Sequence, residues 1–188
     1  MSRISDQDDL DRSVVIGLGS NLAGSYPSRE ALLETAFAAL ANLGITLRAR
    51  SSFWRSTAWP DPTRPEYLNA VALVEAEPRA RPLLNLLLQI EQEFGRRREE
   101  PYGDRTLDLD LIAYGRERLN EADFVLPHPR ASERRFVMGP LAEIAPNWRH
   151  PVTGETASAL AVRATVGEDA RPVARGRAAL HNGPQIAI

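Results

Sequence analysis

The 188-residue chain has no cysteine and no lysine. The first absence excludes a disulfide framework, a thiolate nucleophile and a cysteine-based zinc site. The second makes all 23 basic residues arginine. It removes the P-loop lysine motif and Schiff-base chemistry, so any phosphate chemistry falls to a guanidinium that stays charged and binds phosphate bidentately. Histidine is scarce, at 128, 150 and 181 only, so a mononuclear His-rich metal site is not expected. No apolar run approaches the roughly 18 residues of a membrane span. The segment Met1–Asp11 is polar and acidic, unlike a signal peptide. A cytoplasmic protein with no membrane partner is the expectation. The net charge of −2 carries no electrostatic footprint for nucleic acid.

What is present is ordinary for a folded chain: 43% hydrophobic and 26% charged residues, and about one domain's length at roughly 150 residues per domain. Residues 1–12 read as a polar N-terminal tail, 13–160 as one folded domain and 161–188 as a mobile tail rich in Ala, Arg and Gly. Ser13–Leu18 reads as a buried strand. Ser28 is an N-cap for a helix whose apolar residues Leu32, Leu33, Ala36, Phe37, Leu40 and Leu43 recur at helical spacing, with Gly44 as its stop. Ile45–Phe53 reads as a second strand, residues 56–66 as a proline-rich loop, and Tyr67–Ala76 as a third strand. Arg79–Phe94 follows as a second helix, 95–106 as a charged loop, and Thr106–Tyr114 as an alternating strand. A hairpin-like stretch and helical pieces run on through Ala145. Strand, helix, strand, strand, helix, strand predicts an α/β (α+β) fold, a ferredoxin-like βαββαβ sandwich with an extra C-terminal hairpin and helices. Both main helices then share one sheet face, leaving the other free to carry a site.

The strongest chemical signal is Arg105-Thr106-Leu107-Asp108-Leu109-Asp110. On a strand, Asp108 and Asp110 share one face and the leucines the other. Two adjacent carboxylates repel, and Mg²⁺ is a natural partner because it takes one or two carboxylates and completes its shell with water and phosphate oxygens. The alternative is an exposed strand face with two solvated acids. Arg96, Arg98 and Arg105 bracket the loop leading into the pair. Cations beside metal-ready carboxylates suit a nucleoside triphosphate with Mg²⁺; the alternative is a solvated charge run. Gly17-Leu18-Gly19-Ser20-Asn21 follows a strand, but Leu22 stands where a dinucleotide fingerprint needs its third glycine, so these glycines are read as allowing close backbone approach to a ligand. Tyr67 and Asn69 share a strand face and suit a planar heterocycle. Phe53, Trp54, Trp59 and Phe136 are candidate stacking residues, with core packing as the alternative for each.

Taken together, Ile16–Leu22, Ser51-Ser52-Phe53-Trp54-Arg55, Tyr67-Leu68-Asn69-Ala70, Ile90-Glu91, Gly95-Arg96, Arg105–Asp110, Pro127-His128-Pro129-Arg130 and Pro140–Pro146 resemble the 6-hydroxymethyl-7,8-dihydropterin pyrophosphokinase family of the folate pathway, from about Val14 to Pro151. The resemblance implies transfer of pyrophosphate from ATP to the pterin hydroxymethyl oxygen, with release of AMP. It implies two Mg²⁺ ions on Asp108 and Asp110, with Arg96 and Arg105 closing over the phosphates as the catalytic arginines. Ser56, Thr57, Trp59, Tyr67, Asn69 and Phe136 match the pterin pocket. Glu91, Arg98, His128 and Arg134 fall on the nucleotide side. A monomer acting on two small-molecule substrates is expected. A non-catalytic ferredoxin-like module that binds a nucleotide or pterin is the alternative, and a kinase moving a single phosphate is another.

The chain departs from the family pattern in two loops. Pro101-Tyr102-Gly103-Asp104-Arg105 stands where the family usually carries Arg-Trp-Gly-Pro-Arg, and Asp104 is expected to weaken ATP binding by adding negative charge beside the phosphates. Ser56-Thr57-Ala58-Trp59-Pro60 replaces a Thr-Pro-Pro-Leu-Gly-like stretch over the pterin. The segment after residue 160 exceeds the usual family length.

Overall fold

Alternation of apolar residues along the central strands divides the protein into two cores, one on each face of a sheet. The computed structural model describes residues 6–95 and 104–174. In chain order the elements are α1 (Gln7–Arg12), β1 (Val14–Ser20), α2 (Arg29–Asn42), β2 (Thr46–Arg50), β3 (Trp54–Ser56), β4 (Tyr67–Glu75), α3 (Ala80–Glu93), β5 (Asp108–Tyr114), the hairpin β6 (Leu119–Glu121) and β7 (Phe124–Leu126), α4 (Arg135–Ile144), α5 (Ala157–Arg163) and β8 (Arg171–Pro172). The main sheet runs β5-β1-β4-β3-β8, with β2 also paired to β4. Every pairing is antiparallel. β1-α2-β2 and β4-α3-β5 are interleaved crossover units, so this is the predicted ferredoxin-like arrangement with added hairpin and helices.

One face buries Val14, Ile16 and Leu18 of β1, alternate residues of β4, and Leu109 and Leu111 of β5 against α2 and α3. Helix α2 begins where Ser28 accepts a hydrogen bond from Ala31 N, an N-cap, and it buries Leu32, Leu33, Ala36, Phe37 and Leu40. Helix α3 tolerates Pro82 in its first turn and buries Leu83, Leu87 and Ile90.

The opposite face is free only in part, which corrects the expectation above. Val15, Val71, Leu73 and Ile112 pack there against Leu10, α4 and α5. Helix α4 comes close to β3: a Cβ on Gly139 would stand 2.5 Å from the Trp54 ring. Trp54 Nε1, Ser52 N and Ser52 Oγ all donate to the Glu143 carboxylate at 2.7–2.9 Å. The uncovered part of this face is the end where β1 leaves the sheet.

Both expected tails are corrected over their described parts. Asp6 caps α1 by accepting from Asp8 N and Asp9 N, and Leu10 is fully buried under the second core. A single apolar residue on a two-turn helix gives no periodic signal to read. Residues 161–174 also belong to the fold, as the end of α5 and as β8, which pairs with Trp54 and Arg55; residues 175–188 lie outside the described residues. Leu10→Ala is expected to cost about 2–5 kcal/mol of unfolding free energy, the range of a buried Leu truncation. Chemical denaturation would measure it, and a solvated tail would instead give a change within about 0.5 kcal/mol.

Candidate active site

The open end of the second face has a floor of glycine. On β1, Gly19 lies between Asn69 of β4 and Asp108 of β5, and Gly17 lies between Val71 and Asp110. A Cβ at Gly19 would stand 3.3 Å from Asn69 Oδ1, and one at Gly17 3.4 Å from the Ile112 side chain. Side chains at these positions would crowd the gap between the flanking strands. Their absence leaves a trough into which β4 and β5 project polar groups from either side.

From β5 come Asp108 and Asp110, each met by an arginine. Arg105 Nη1 donates to Asp108 Oδ2 at 2.7 Å, and Arg134 Nη1 lies 3.7 Å from Asp110 Oδ2. Burial disfavours the Arg105 charge, yet Asp108, Tyr67 and Asp110 outweigh it and hold its pKa above the ordinary value. For Arg134, burial wins over Asp110 and the pKa is lowered. Both groups stay cationic at neutral pH because arginine starts so high. The donor set suits a hard divalent cation that keeps water and borrowed phosphate oxygens. Among the described residues no group of three or more His, Cys, Asp or Glu side chains forms a self-sufficient metal cage.

From β4 come Tyr67 and Asn69, and from β3 and its exit come Ser56, Thr57 and Trp59, all lining the same cleft. Asn69 is buried and donates through Nδ2 to Ser56 Oγ at 3.1 Å. Burial, the largest effect, raises the Tyr67 phenol pKa. Phe136, Arg134 and Arg130 enter from the start of α4 and the preceding turn, and the Arg134 guanidinium lies 5.7 Å from the Phe136 ring centre. His128 completes this side. Its backbone N–H donates to Ile112 O at 2.8 Å, which ties it to β5. Its Nδ1 accepts from Arg130 N at 3.2 Å, so the neutral ring carries its proton on Nε2. Burial first, then Arg134 and Arg130, lower its pKa to about 4.

Asp108, Asp110, Arg105, Arg134, His128, Tyr67, Asn69, Ser56, Thr57, Trp59 and Phe136 are thus brought to one cleft. Arg96 and Arg98 lie outside the described residues. Glu91 is placed differently from the expected nucleotide contact. It is buried on the α3 face of the sheet, where Oε1 accepts from Leu109 N at 2.7 Å. It therefore braces from behind the residue between the two aspartates. Of the candidate stacking residues, Trp59 and Phe136 line the cleft; Trp54 packs on α4 and Phe53 against the first core.

Asp104, expected to add negative charge beside the phosphates, is paired within the protein. Its Oδ1 accepts from Asn21 Nδ2 at 2.7 Å and lies 3.5 Å from Arg64 Nη1. Asn21 Oδ1 in turn accepts from Arg105 N at 2.7 Å, while Asn21 N and Leu22 N donate to Arg105 O. Asn21 thus clamps the backbone that aims Arg105. Sequence reasoning missed this role, and Arg130 as well, because each depends on residues brought together only by the fold.

The sequence profile described as 7,8-dihydro-6-hydroxymethylpterin-pyrophosphokinase (HPPK) matches residues 15–146, a span that includes the trough, the acid pair and Phe136. The chain belongs to the HPPK family. Among its relatives, the 2-amino-4-hydroxy-6-hydroxymethyldihydropteridine pyrophosphokinase of Synechocystis is 43% identical over 143 residues, covering 76% of this chain and 71% of that protein. The protein of the same name from Methylorubrum extorquens is 39% identical over 133 residues, covering 70% and 82%. A solved Plasmodium falciparum HPPK-DHPS chain with pteroate superposes with a TM-score of 0.63 over 80% of this chain and 42% of its own length. At 10% identity that likeness speaks to the fold. The chain spans less than half the length of that solved chain.

Two measurements check the site's electrostatics and bracing. NMR titration should give His128 a midpoint near pH 4. Between about pH 6.5 and 4 the unfolded chain then binds a proton that folded His128 refuses, so stability falls as pH drops through that window. His128→Gln should lessen that fall in denaturation series at pH 7 and 4.5; a His128 midpoint near 6.5 would refute the burial argument. Glu91→Ala leaves Leu109 N–H without this acceptor and should cost about 1–3 kcal/mol, whereas Glu91→Gln, which keeps an acceptor, should cost less.

Proposed function

We propose that this chain transfers the β,γ-pyrophosphoryl group of ATP to the hydroxymethyl oxygen of 6-hydroxymethyl-7,8-dihydropterin and releases AMP. The supporting observation is the division of one cleft into two chemical halves. Asp108, Asp110, Arg105, Arg130 and Arg134 make a half suited to a metal-bound polyphosphate. Asn69, Ser56, Trp59, Tyr67 and Phe136 make a half suited to a flat, hydrogen-bonding ring. The trough over Gly17 and Gly19 joins them. Membership of a pyrophosphokinase family supports the same reading.

In this reading the pterin ring lies between Phe136 and the Thr57–Trp59 segment, with Asn69 hydrogen-bonding its edge. That places the hydroxymethyl oxygen towards the aspartates. The oxygen attacks the β-phosphorus, the bond from that phosphorus to the α,β-bridging oxygen breaks, and AMP leaves as the attacking hydroxyl loses its proton. Asp108 and Asp110 would hold Mg²⁺, two ions by family resemblance, which neutralises triphosphate charge and acidifies the hydroxyl when bound. Arg105 and Arg134, already poised beside the carboxylates, exchange part of that pairing for phosphate oxygens. Arg96 and Arg98 are assigned to the phosphates by resemblance. His128, neutral above about pH 4, donates from Nε2 as a hydrogen-bonding group rather than as a cation. By family resemblance, closure of Arg96 and Arg105 over the phosphates would exclude water that competes as nucleophile.

Asp108→Ala should lower pterin-dependent ATP consumption by several orders of magnitude, and chelation of Mg²⁺ should do the same to the unaltered chain. Steady-state assays with ATP and the dihydropterin measure both. Near-normal turnover in Asp108→Ala would sink the mechanism, and a chain that binds both ligands without turnover would be a binding module instead.

A further inference from the structure

The chain beyond α5 turns back across the rim of the cleft and touches both of its ring-facing walls. At its start, Arg135 N donates to Val166 O at 2.8 Å and Val166 N donates to Glu133 O at 2.9 Å. These bonds fix the segment to the turn that carries Arg134 and Phe136. The next residue, Gly167, has φ +68°, and a Cβ there would stand 2.6 Å from Phe136 Cδ1. The backbone therefore lies directly against the Phe136 ring, at a conformation and closeness that only glycine accommodates. Two residues on, Asp169 Oδ2 accepts from both Thr57 N and Thr57 Oγ1 at 2.7 Å. Thr57 opens the loop that carries Trp59. The segment then closes as β8 on β3, with Val173 N donating to Phe53 O at 2.7 Å.

We propose that this C-terminal strap sets the width of the ring-binding gap, with Asp169 as a positioning residue that holds the Thr57–Trp59 wall at a fixed distance from Phe136. Gly167 backs one wall and Asp169 ties down the other, only two residues apart on one segment. Such a strap fixes two otherwise independent loops relative to each other. A gap of set width favours a planar bicyclic ring without touching it, by removing the ordering cost that a loose loop would add to binding. The strap's start at Val166 flanks Arg134, but Asp169 bonds Thr57 on the ring side, so loss of Asp169 falls on the ring and not on the triphosphate. The proposal rests on the reading of that half of the cleft as the pterin site.

The test is a pair of binding titrations on the full chain. Fluorescent 6-hydroxymethylpterin reports the ring half, and α,β-methylene-ATP with Mg²⁺ reports the other. Asp169→Ala, which removes both hydrogen bonds to Thr57, is expected to weaken the pterin about tenfold, with the nucleotide within about twofold of its original affinity. Asp169→Asn keeps an acceptor for Thr57 and should recover most of the loss. Amide exchange in the unaltered chain provides a reading that no variant's folding can obscure: Thr57 N–H should be protected as strongly as its neighbours in β3. Fast exchange at Thr57, an unchanged pterin affinity in Asp169→Ala, or equal losses for both ligands would each overturn the strap's role. An unaltered chain that binds the nucleotide but no pterin would overturn the functional reading itself, and this proposal with it.

Discussion

Two carboxylates two residues apart on one strand face repel each other, and the rest of the site answers that repulsion. Water alone could screen the pair if it stood on an open face. Here it stands at the edge of a trough, partly removed from solvent, where each charge costs more to keep. The fold supplies a cation to each: Arg105 from the segment just before the strand, and Arg134 from the turn before α4. The strand bearing the pair is itself braced from behind by the buried carboxylate of Glu91. Charges on both faces of β5 therefore serve the same few residues, one set exposed to a ligand and the other sealed beneath.

The ferredoxin-like sheet makes this arrangement possible because β1 runs centrally between β4 and β5. Its residues facing the first core are Val14, Ile16 and Leu18, while Gly17 and Gly19 face the cleft. The same strand is thus a core element on one side and an empty floor on the other. Helices α4 and α5 cover the remainder of that second face and bring Arg134 and Phe136 to its edge. Had they been absent, the acid pair would lie on an open surface with no second wall. The two halves of the cleft depend on different supports. Asn21 and Asp104 fix the backbone at Arg105 on the phosphate side, and the strap over residues 166–173 spans the ring side.

Much of this was legible in the sequence because it rests on short-range patterns. Alternation in Thr106–Tyr114 placed both aspartates on one face, helical spacing located α2, and the strand–helix order predicted the sheet. What escaped reading has a common physical cause. α1 carries one buried residue, Leu10, too few for a period. Resemblance alone puts Glu91 on the nucleotide side, and only the fold sets Leu109 N–H against it. Asp104 looks like a stray charge until Asn21, 83 residues away, accepts and donates around it. Asp169 and Gly167 sit in a stretch whose composition resembles a tail, and only contact with Thr57 and Phe136 gives them meaning. Long-range polar contacts of this kind leave no local signature.

The account stands on which phosphorus the cleft presents to the incoming hydroxyl. The most direct measurement is therefore the identity of the nucleotide released from ATP, Mg²⁺ and 6-hydroxymethyl-7,8-dihydropterin by the purified chain, resolved by ³¹P NMR. The account predicts pterin-dependent AMP, with the pyrophosphate carried on the pterin. Release of ADP would show attack at the γ-phosphorus and contradict it.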